Sequence, residues 1–260
     1  MVSGGLAVRW HQVLLVRARL CAVIRVAGAW LLLLFGSFGQ QAVAGSFVVT
    51  PVRVELSGAA RSAVLTVSNN ESAPLTIELR IVRWTQEEGQ DQLKDSEDLL
   101  ATPAVFVLAG HTSQVLRIAP RGLTAGPAEQ AYRLFVEEVP QGVSISSGIQ
   151  VALRMSIPVF IAPSVRLPGP LRWSATVVDD KVLLSVINDA NTSVRLLKVT
   201  TAFRGSGAAE PLSLAYVLAG QQRSWLLQLP LSPGQGKRAL TVRATTDAGD
   251  IDVEVPLEGR

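Results

Sequence analysis

The sequence predicts an all-β protein built as two sandwich domains in tandem. Three observations carry that prediction. After residue 45, short apolar and β-branched runs recur between clusters of Gly, Pro, Asn, Asp and Ser, the pattern of a sandwich of short strands. No segment there sustains a 3.6-residue apolar period. The second half also repeats the first. Ala63-Val-Leu-Thr-Val-Ser-Asn69 aligns without gaps on Val182-Leu-Leu-Ser-Val-Ile-Asn188, and Phe106-Val-Leu-Ala-Gly110 aligns on Tyr216-Val-Leu-Ala-Gly220. The offsets, 119 and 110 residues, are domain-sized and too long for a solenoid period.

The first 44 residues stand apart from this pattern. Arg9, Arg17, Arg19 and Arg25 precede a 13-residue apolar run, Val26 to Phe38, and Ala42-Val43-Ala44 follows. A basic stretch, a short apolar core and an A-x-A site predict a signal peptide cleaved near Ala44. The apolar run is too short to span a bilayer comfortably. This segment holds four of the 24 basic residues and none of the 21 acidic ones. The remaining chain has 20 basic against 21 acidic residues, which excludes the basic footprint of a nucleic-acid binder. Cys21 is the only cysteine, so the exported part is expected to fold without disulfides, held by its cores.

The strands follow in order. Phe47–Leu56 reads as extended, with Pro51 near its start; Ala63–Ser68 ends at Asn69-Asn70; Leu75–Thr85 is a third strand. The polar stretch 86–98 reads as a solvated loop. Ala104–Leu108, Gln114–Ala119 and Ala131–Val139 come next. Then Ile149–Ile161 alternates strictly over 13 residues, with Ile149, Val151, Leu153, Met155, Ile157, Val159 and Ile161 on one face. At about 3.3 Å per residue it would reach about 43 Å, longer than a small sandwich covers. Its excess must bend, bridge domains, or cover something outside this chain. Pro163, Pro168, Gly169 and Pro170 mark the domain boundary, giving an N-terminal domain at 45–163 and a C-terminal domain at 164–260. Trp84, Trp173 and Trp225 lie in or beside strands and read as core anchors.

Catalytic chemistry finds no foothold. His111 is the one histidine beyond the leader and sits in an Ala-Gly-His-Thr turn, where it reads as solvated. No nucleophile motif, phosphate loop or dinucleotide fingerprint occurs, and a multi-histidine or cysteine zinc site is excluded. Asp91, Asp95, Glu97 and Asp98 lack calcium-loop spacing. The adjacent pairs Glu137-Glu138 and Asp179-Asp180 would point to opposite strand faces. The expectation is a protein that is not an enzyme, with no metal, no cofactor and no small-molecule substrate.

Several pieces in their order then carry a resemblance. These are Pro51-Val-Arg53, Ala63 to Asn69, Val115-Leu-Arg-Ile118, Glu129-Gln-Ala-Tyr-Arg-Leu134, Glu138-Val-Pro140 and the strand ending Val159-Phe-Ile-Ala-Pro163. Over most of residues 46–260 the chain resembles the periplasmic chaperones of the chaperone–usher pathway of pilus assembly. The resemblance implies two immunoglobulin-like domains set in an L, and a periplasmic location. The implied partners are pilin subunits and an outer-membrane usher. It also implies a mechanism: the chaperone lends a strand to a subunit whose own sandwich is incomplete. Ile149, Val151 and Leu153 match the donor residues, with Met155 extending the set. Arg53 matches the first of two basic residues that anchor the subunit's terminal carboxylate. The position matching the second is Pro158, a departure from the pattern, and Arg133 on the neighbouring strand is the substitute; Arg154 and Arg117 are weaker candidates. The donating part is expected at 149–155, with 156–161 turning toward the second domain. The alternative is a secreted immunoglobulin-like binding or adhesion module that works through its loops, 86–98 first among them.

Overall fold

The computed structural model describes residues 47–122, 125–140, 151–179, 181–203, 209–228 and 239–259. The leader and Ile149 lie outside them. No helix among the described residues is long and apolar enough to cross a membrane.

Among the described residues ten strands precede residue 162: β1 (Phe47–Thr50), β2 (Val54–Leu56), β3 (Ala63–Asn69), β4 (Leu75–Glu87), β5 (Gln90–Asp95), β6 (Leu99–Thr102), β7 (Val105–Leu108), β8 (Ser113–Pro120), β9 (Gln130–Val139) and β10 (Arg154–Ile161). They form two sheets, β1-β3-β8-β6 and β2-β10-β9-β4-β5, with β7 also on β4. Period-two alternation puts Leu65, Val67, Leu116 and Ile118 of one sheet against Ile77, Leu134, Ile157 and Val159 of the other, the layered core of a sandwich. Eight more follow among the described residues: β11 (Leu171–Val178), β12 (Lys181–Asn188), β13 (Val194–Phe203), β14 (Ala209–Leu212), β15 (Ala215–Val217), β16 (Gln222–Leu227), β17 (Ala239–Thr246) and β18 (Gly249–Glu258). They run in the order β14-β13-β17-β18-β11-β12-β16, with β15 on β13, around a separate core that includes Val182, Leu184, Val186, Leu196, Leu240 and Val242. The structure is all-β with two sandwich-like folds, as the sequence predicts.

The duplication has a structural counterpart at its two asparagines. Asn69 and Asn188 are buried. Asn69 Nδ2 donates to the carbonyls of Ala73, Leu108 and Ala109, and its Oδ1 accepts the Glu71 N–H. Asn188 Nδ2 donates to Thr192, Val217 and Leu218, and its Oδ1 accepts the Ala190 N–H. Each side chain ties its strand end to the second repeated segment of its own domain. The four bonds satisfy a buried amide that would otherwise be costly.

Three expectations are corrected. Residues 47–56 are two strands in different sheets: β1 pairs with β3 antiparallel, whereas β2 pairs with β10 in parallel. The crossing falls at Pro51, which cannot continue a ladder on its donor side. Residues 86–98 are not a loop. Gln90–Asp95 pairs in register with β4, from Glu87↔Gln90 to Val82↔Asp95, through the two-residue turn Glu88-Gly89, both at positive φ (53° and 76°), the conformation a tight hairpin requires. Its composition hid the strand because β5 is an edge strand with little apolar demand on either face. Third, the strand at 149–161 begins only at Arg154 among the described residues, and Val151–Leu153 lie outside it.

Candidate functional site

Strand β10 has one occupied side and one open one. It pairs with β9 along its whole length, from Arg154↔Glu137 to Ile161↔Gln130. On the other side, β2 pairs only with Val159–Ile161. No strand among the described residues covers Arg154–Pro158 there.

The hydrogen-bond parity says which groups face that open edge. In an antiparallel ladder, the N–H and C=O of one residue point to the same side and alternate along the strand. The Glu138 N–H donates to the Leu153 carbonyl at 2.9 Å, so the backbone of odd-numbered β10 residues faces β9. The Ala162 N–H donates to the Leu56 carbonyl at 2.8 Å, so that of even-numbered residues faces β2 and the open edge. Pro158 is even-numbered. Its missing N–H therefore removes no bond to β9 and falls where β2 ends, the edge position a proline tolerates. The even-numbered residues Arg154 and Ser156 direct their backbone groups outward.

The predicted donor residues Val151, Leu153 and Met155 lie at the start of this edge, and Ile149 falls outside the described residues. Val151 is 80% exposed. Leu153 and Met155 are half-buried and pack against the chain's own N-terminal core. Arg154 pairs with Glu137 and lies over the Phe135 ring at 4.7 Å; Arg117 is exposed on β8.

The far end of the edge is a cleft between the two cores. Even-numbered β10 side chains turn away from the N-terminal core there. Phe160 is buried with Trp84, Ala131 and Leu218, and Tyr216 packs beside them. Trp84 meets Tyr216 edge-on with centroids 5.5 Å apart, and Phe160 lies 5.5 Å from Tyr216. Trp84 is thus buried as expected, but between the domains. Trp173 and Trp225 stack on each other at 6.4 Å beside the second core. His111 is exposed in its turn at φ 57°.

Both predicted anchors reach this aromatic floor. Arg53 immediately precedes β2 and lies over the Phe160 ring at 4.8 Å. Its Nε donates to Glu55 Oε1 at 2.9 Å, and its Nη1 lies 3.5 Å from Tyr216 Oη and 3.5 Å from Asp247 Oδ2. Burial opposes its charge, but Tyr216 and Glu55 outweigh that and hold its pKa above the ordinary value. Arg133 is the Cα partner of Pro158 across the β9–β10 ladder. Its guanidinium lies over the Trp84 ring at 3.7 Å, and no carboxylate among the described residues forms an ion pair with it. Burial pulls its pKa down and Arg223 adds to the fall, against the Asp91 carboxylate and the Tyr216 hydroxyl. The two predicted anchors thus approach one cleft from the two segments that flank β10, where cation–π contact holds them at modest cost in freedom.

Hydrogen bonds between the domains frame the cleft. The buried Gln86 Nε2 donates to the Tyr216 carbonyl at 2.8 Å, and its Oε1 accepts the Leu218 N–H at 3.0 Å. At the β4–β5 turn the Ser224 N–H donates to the Gly89 carbonyl at 2.9 Å. A side chain on Gly89 would start 2.2 Å from Ser224 Oγ, so this close approach needs glycine. Arg223 pairs with Asp91 at 2.8 Å, and Glu129 Oε1 accepts the Ser193 N–H at 2.9 Å. Sequence reasoning missed Phe160, Tyr216, Gln86, Glu129 and Asp247. Tyr216 carried a signal as the counterpart of Phe106 in the duplication, and Phe160 and Glu129 lay within segments that carry the resemblance, without a role attached. Among the described residues no group of His, Cys, Asp or Glu is arranged to hold a metal ion.

Residues 46–166 match the family described as pili and flagellar-assembly chaperone, PapD N-terminal domain. No curated protein matches the chain in sequence. Among solved structures, the fold is similar to the chain in a CsuC–CsuE chaperone–tip adhesion subunit pre-assembly complex of Acinetobacter baumannii, at 16% identity and TM-score 0.62, covering 83% of this chain and 100% of that one. It is also similar to the SafB chaperone–SafA pilin complex of Salmonella enterica, at 19% identity and TM-score 0.57, covering 81% and 96%. The E. coli chaperone DraB matches at 22% identity and TM-score 0.55, covering 81% and 98%. In sequence over residues 46–166, and in fold over both domains, the chain closely resembles the PapD-like chaperones of the chaperone–usher pathway.

Proposed function

We propose that this chain is a periplasmic, non-catalytic chaperone that binds and stabilises pilin subunits by donor-strand complementation and delivers them to an outer-membrane usher. The observation that carries the reading is that the open edge of β10 runs directly into a cleft floored by Phe160, Trp84 and Tyr216 and furnished with Arg53 and Arg133. A partner strand on that edge bonds to the outward groups of Arg154 and Ser156 and meets a proline and then β2. Its chain end then lies beside two guanidiniums. Ile149, Val151, Leu153 and Met155 supply the apolar side chains given to the partner, each worth roughly 1.5–3 kcal/mol when buried. Arg53 and Arg133 hold its terminal carboxylate, a charge-assisted contact worth about 1.5–3 kcal/mol. Arg133, opposite Pro158, takes the part of the missing basic residue. The two separate cores support division into domains at 45–163 and 164–260.

Co-purification with a co-expressed pilin subunit tests the reading. Leu153→Glu is expected to abolish capture while circular dichroism stays native. Arg53→Ala and Arg133→Ala should each weaken capture about ten-fold or more. Unchanged recovery with Leu153→Glu removes the donor-strand assignment, and full capture by either arginine variant returns that arginine to a structural role. A free-standing adhesion module acting through residues 86–98 has less support, because the tip of that hairpin is engaged by Ser224 and Arg223.

A further inference from the structure

The cleft already contains carboxylates of its own, and one of them stands where a partner's would. The guanidiniums of Arg53, Arg133 and Arg195 lie 5.7, 5.9 and 5.8 Å from the Tyr216 ring centroid. Around them are Glu55, Glu129 and Asp247. Glu55 is two residues from Arg53 and grips its Nε and Nη2 through a single oxygen, both at 2.9 Å; it belongs to the same chain segment as the arginine. Asp247 comes from the other domain, on the turn between β17 and β18. Its Oδ1 accepts the Arg195 backbone N–H at 2.8 Å, and that bond fixes the carboxylate. Its Oδ2 is left 3.5 Å from Arg53 Nη1, the nitrogen that also faces Tyr216 Oη.

We propose that Asp247 is an internal stand-in for the partner's terminal carboxylate, holding Nη1 of Arg53 in the free chain and yielding it on binding. The inference rests on the anchor reading of Arg53 given above. The Asp247–Arg53 contact is long, and both side chains are partly exposed, 35% and 28%. Such a pair is weak and screened by salt, so a partner carboxylate that is also held by a paired strand outcompetes it. Asp247 cannot follow Arg53 while its other oxygen is held by Arg195. Arg133 has no comparable internal carboxylate among the described residues. The expected consequence is selectivity. A small free anion must displace Asp247 unaided, whereas a carboxylate at the end of a docked strand arrives with the strand's hydrogen bonds already made.

The test uses the full exported chain and fluorescence anisotropy. The probe is a labelled 12-residue peptide of alternating apolar and polar residues, made with a free C-terminal carboxylate and, separately, as the C-terminal amide. Asp247→Asn, which keeps an acceptor for Arg195, is expected to bind the free acid about two- to five-fold tighter than wild type, with binding of the amide unchanged and the gain shrinking at high salt. An acid-to-amide preference equal to or below that of wild type overturns the stand-in role. Asp247→Ser, with a thermal melt, replaces the asparagine variant if the latter disturbs the turn. A wild-type chain that binds acid and amide alike overturns the anchor reading itself, and this inference with it.

Discussion

The parity of β10 predicts opposite outcomes for two prolines placed at neighbouring positions. Ser156 is exposed and even-numbered, so its N–H faces the open edge. Met155 is odd-numbered, and its N–H faces Val136 of β9. Ser156→Pro therefore removes no ladder bond, and proline's φ is tolerated two residues away at Pro158. Free-chain stability is expected to change by less than about 1 kcal/mol. The same change takes one donor from an incoming strand and leaves the partner's carbonyl unpaired in a closed interface. The orphaned carbonyl costs about 1–3 kcal/mol, which weakens capture about five- to 150-fold. Met155→Pro does the reverse to the fold. It breaks a bond to β9 and removes a side chain packed on the core, for an expected loss of about 3 kcal/mol or more. Urea unfolding of each free variant, with titration of a purified pilin–chaperone exchange reaction, reads both quantities. Native stability with full capture by Ser156→Pro would falsify strand addition at this edge, and an unaffected melt for Met155→Pro would refute the parity.

Further outcomes follow from the cleft and the duplicated asparagines. Gln86→Ala strands the Tyr216 carbonyl and the Leu218 N–H between the domains, so unfolding should shift by about 1–3 kcal/mol in a urea melt; no shift would mean the interdomain bonds are dispensable. Asn188→Ala leaves the Ala190 N–H and several carbonyls without their buried partner and should cost about 2–3 kcal/mol, with Asn69→Ala similar by the repeat; a near-neutral pair would refute the shared role. Burial, partly offset by the Ser193 bonds and the Arg53 charge, raises the Glu129 pKa. A carboxyl with a raised folded pKa favours the folded state at low pH, and that contribution is lost as pH rises through the folded value. Glu129→Gln, which keeps the acceptor for Ser193, should then be more stable than wild type at neutral pH and equal to it once the wild-type carboxyl is protonated in both the folded and the unfolded chain. Chemical melts at the two pH values check the sign, and a destabilised neutral-pH variant would show that the charge is needed beside Arg53.

Much of this protein was legible in the chain. Alternation and turn residues determined that it is all-β, because a strand with one face on a core imposes period two wherever it occurs. The repeated segments determined that there are two similar domains, and both repeats place an asparagine in the same bonding role. Arg53 and Arg133 were nameable because the resemblance supplied one position and the neighbouring strand the other. What tertiary structure alone decided were the features that depend on which strands lie side by side. Residues 86–98 are a hairpin because β4 offers them a ladder, although their polar composition asked for none. Ile149–Ile161 reads as one long apolar face, yet only pairing with β9 and β2 divides β10 into a covered end and an open edge, and only parity turns Pro158 from a flaw into an edge residue. The cleft is built from Arg53, Trp84, Arg133, Phe160, Tyr216 and Asp247, which are scattered over both domains and share no spacing. Local sequence encodes which face of a strand is apolar; the juxtaposition of distant side chains follows only once the two cores have packed together.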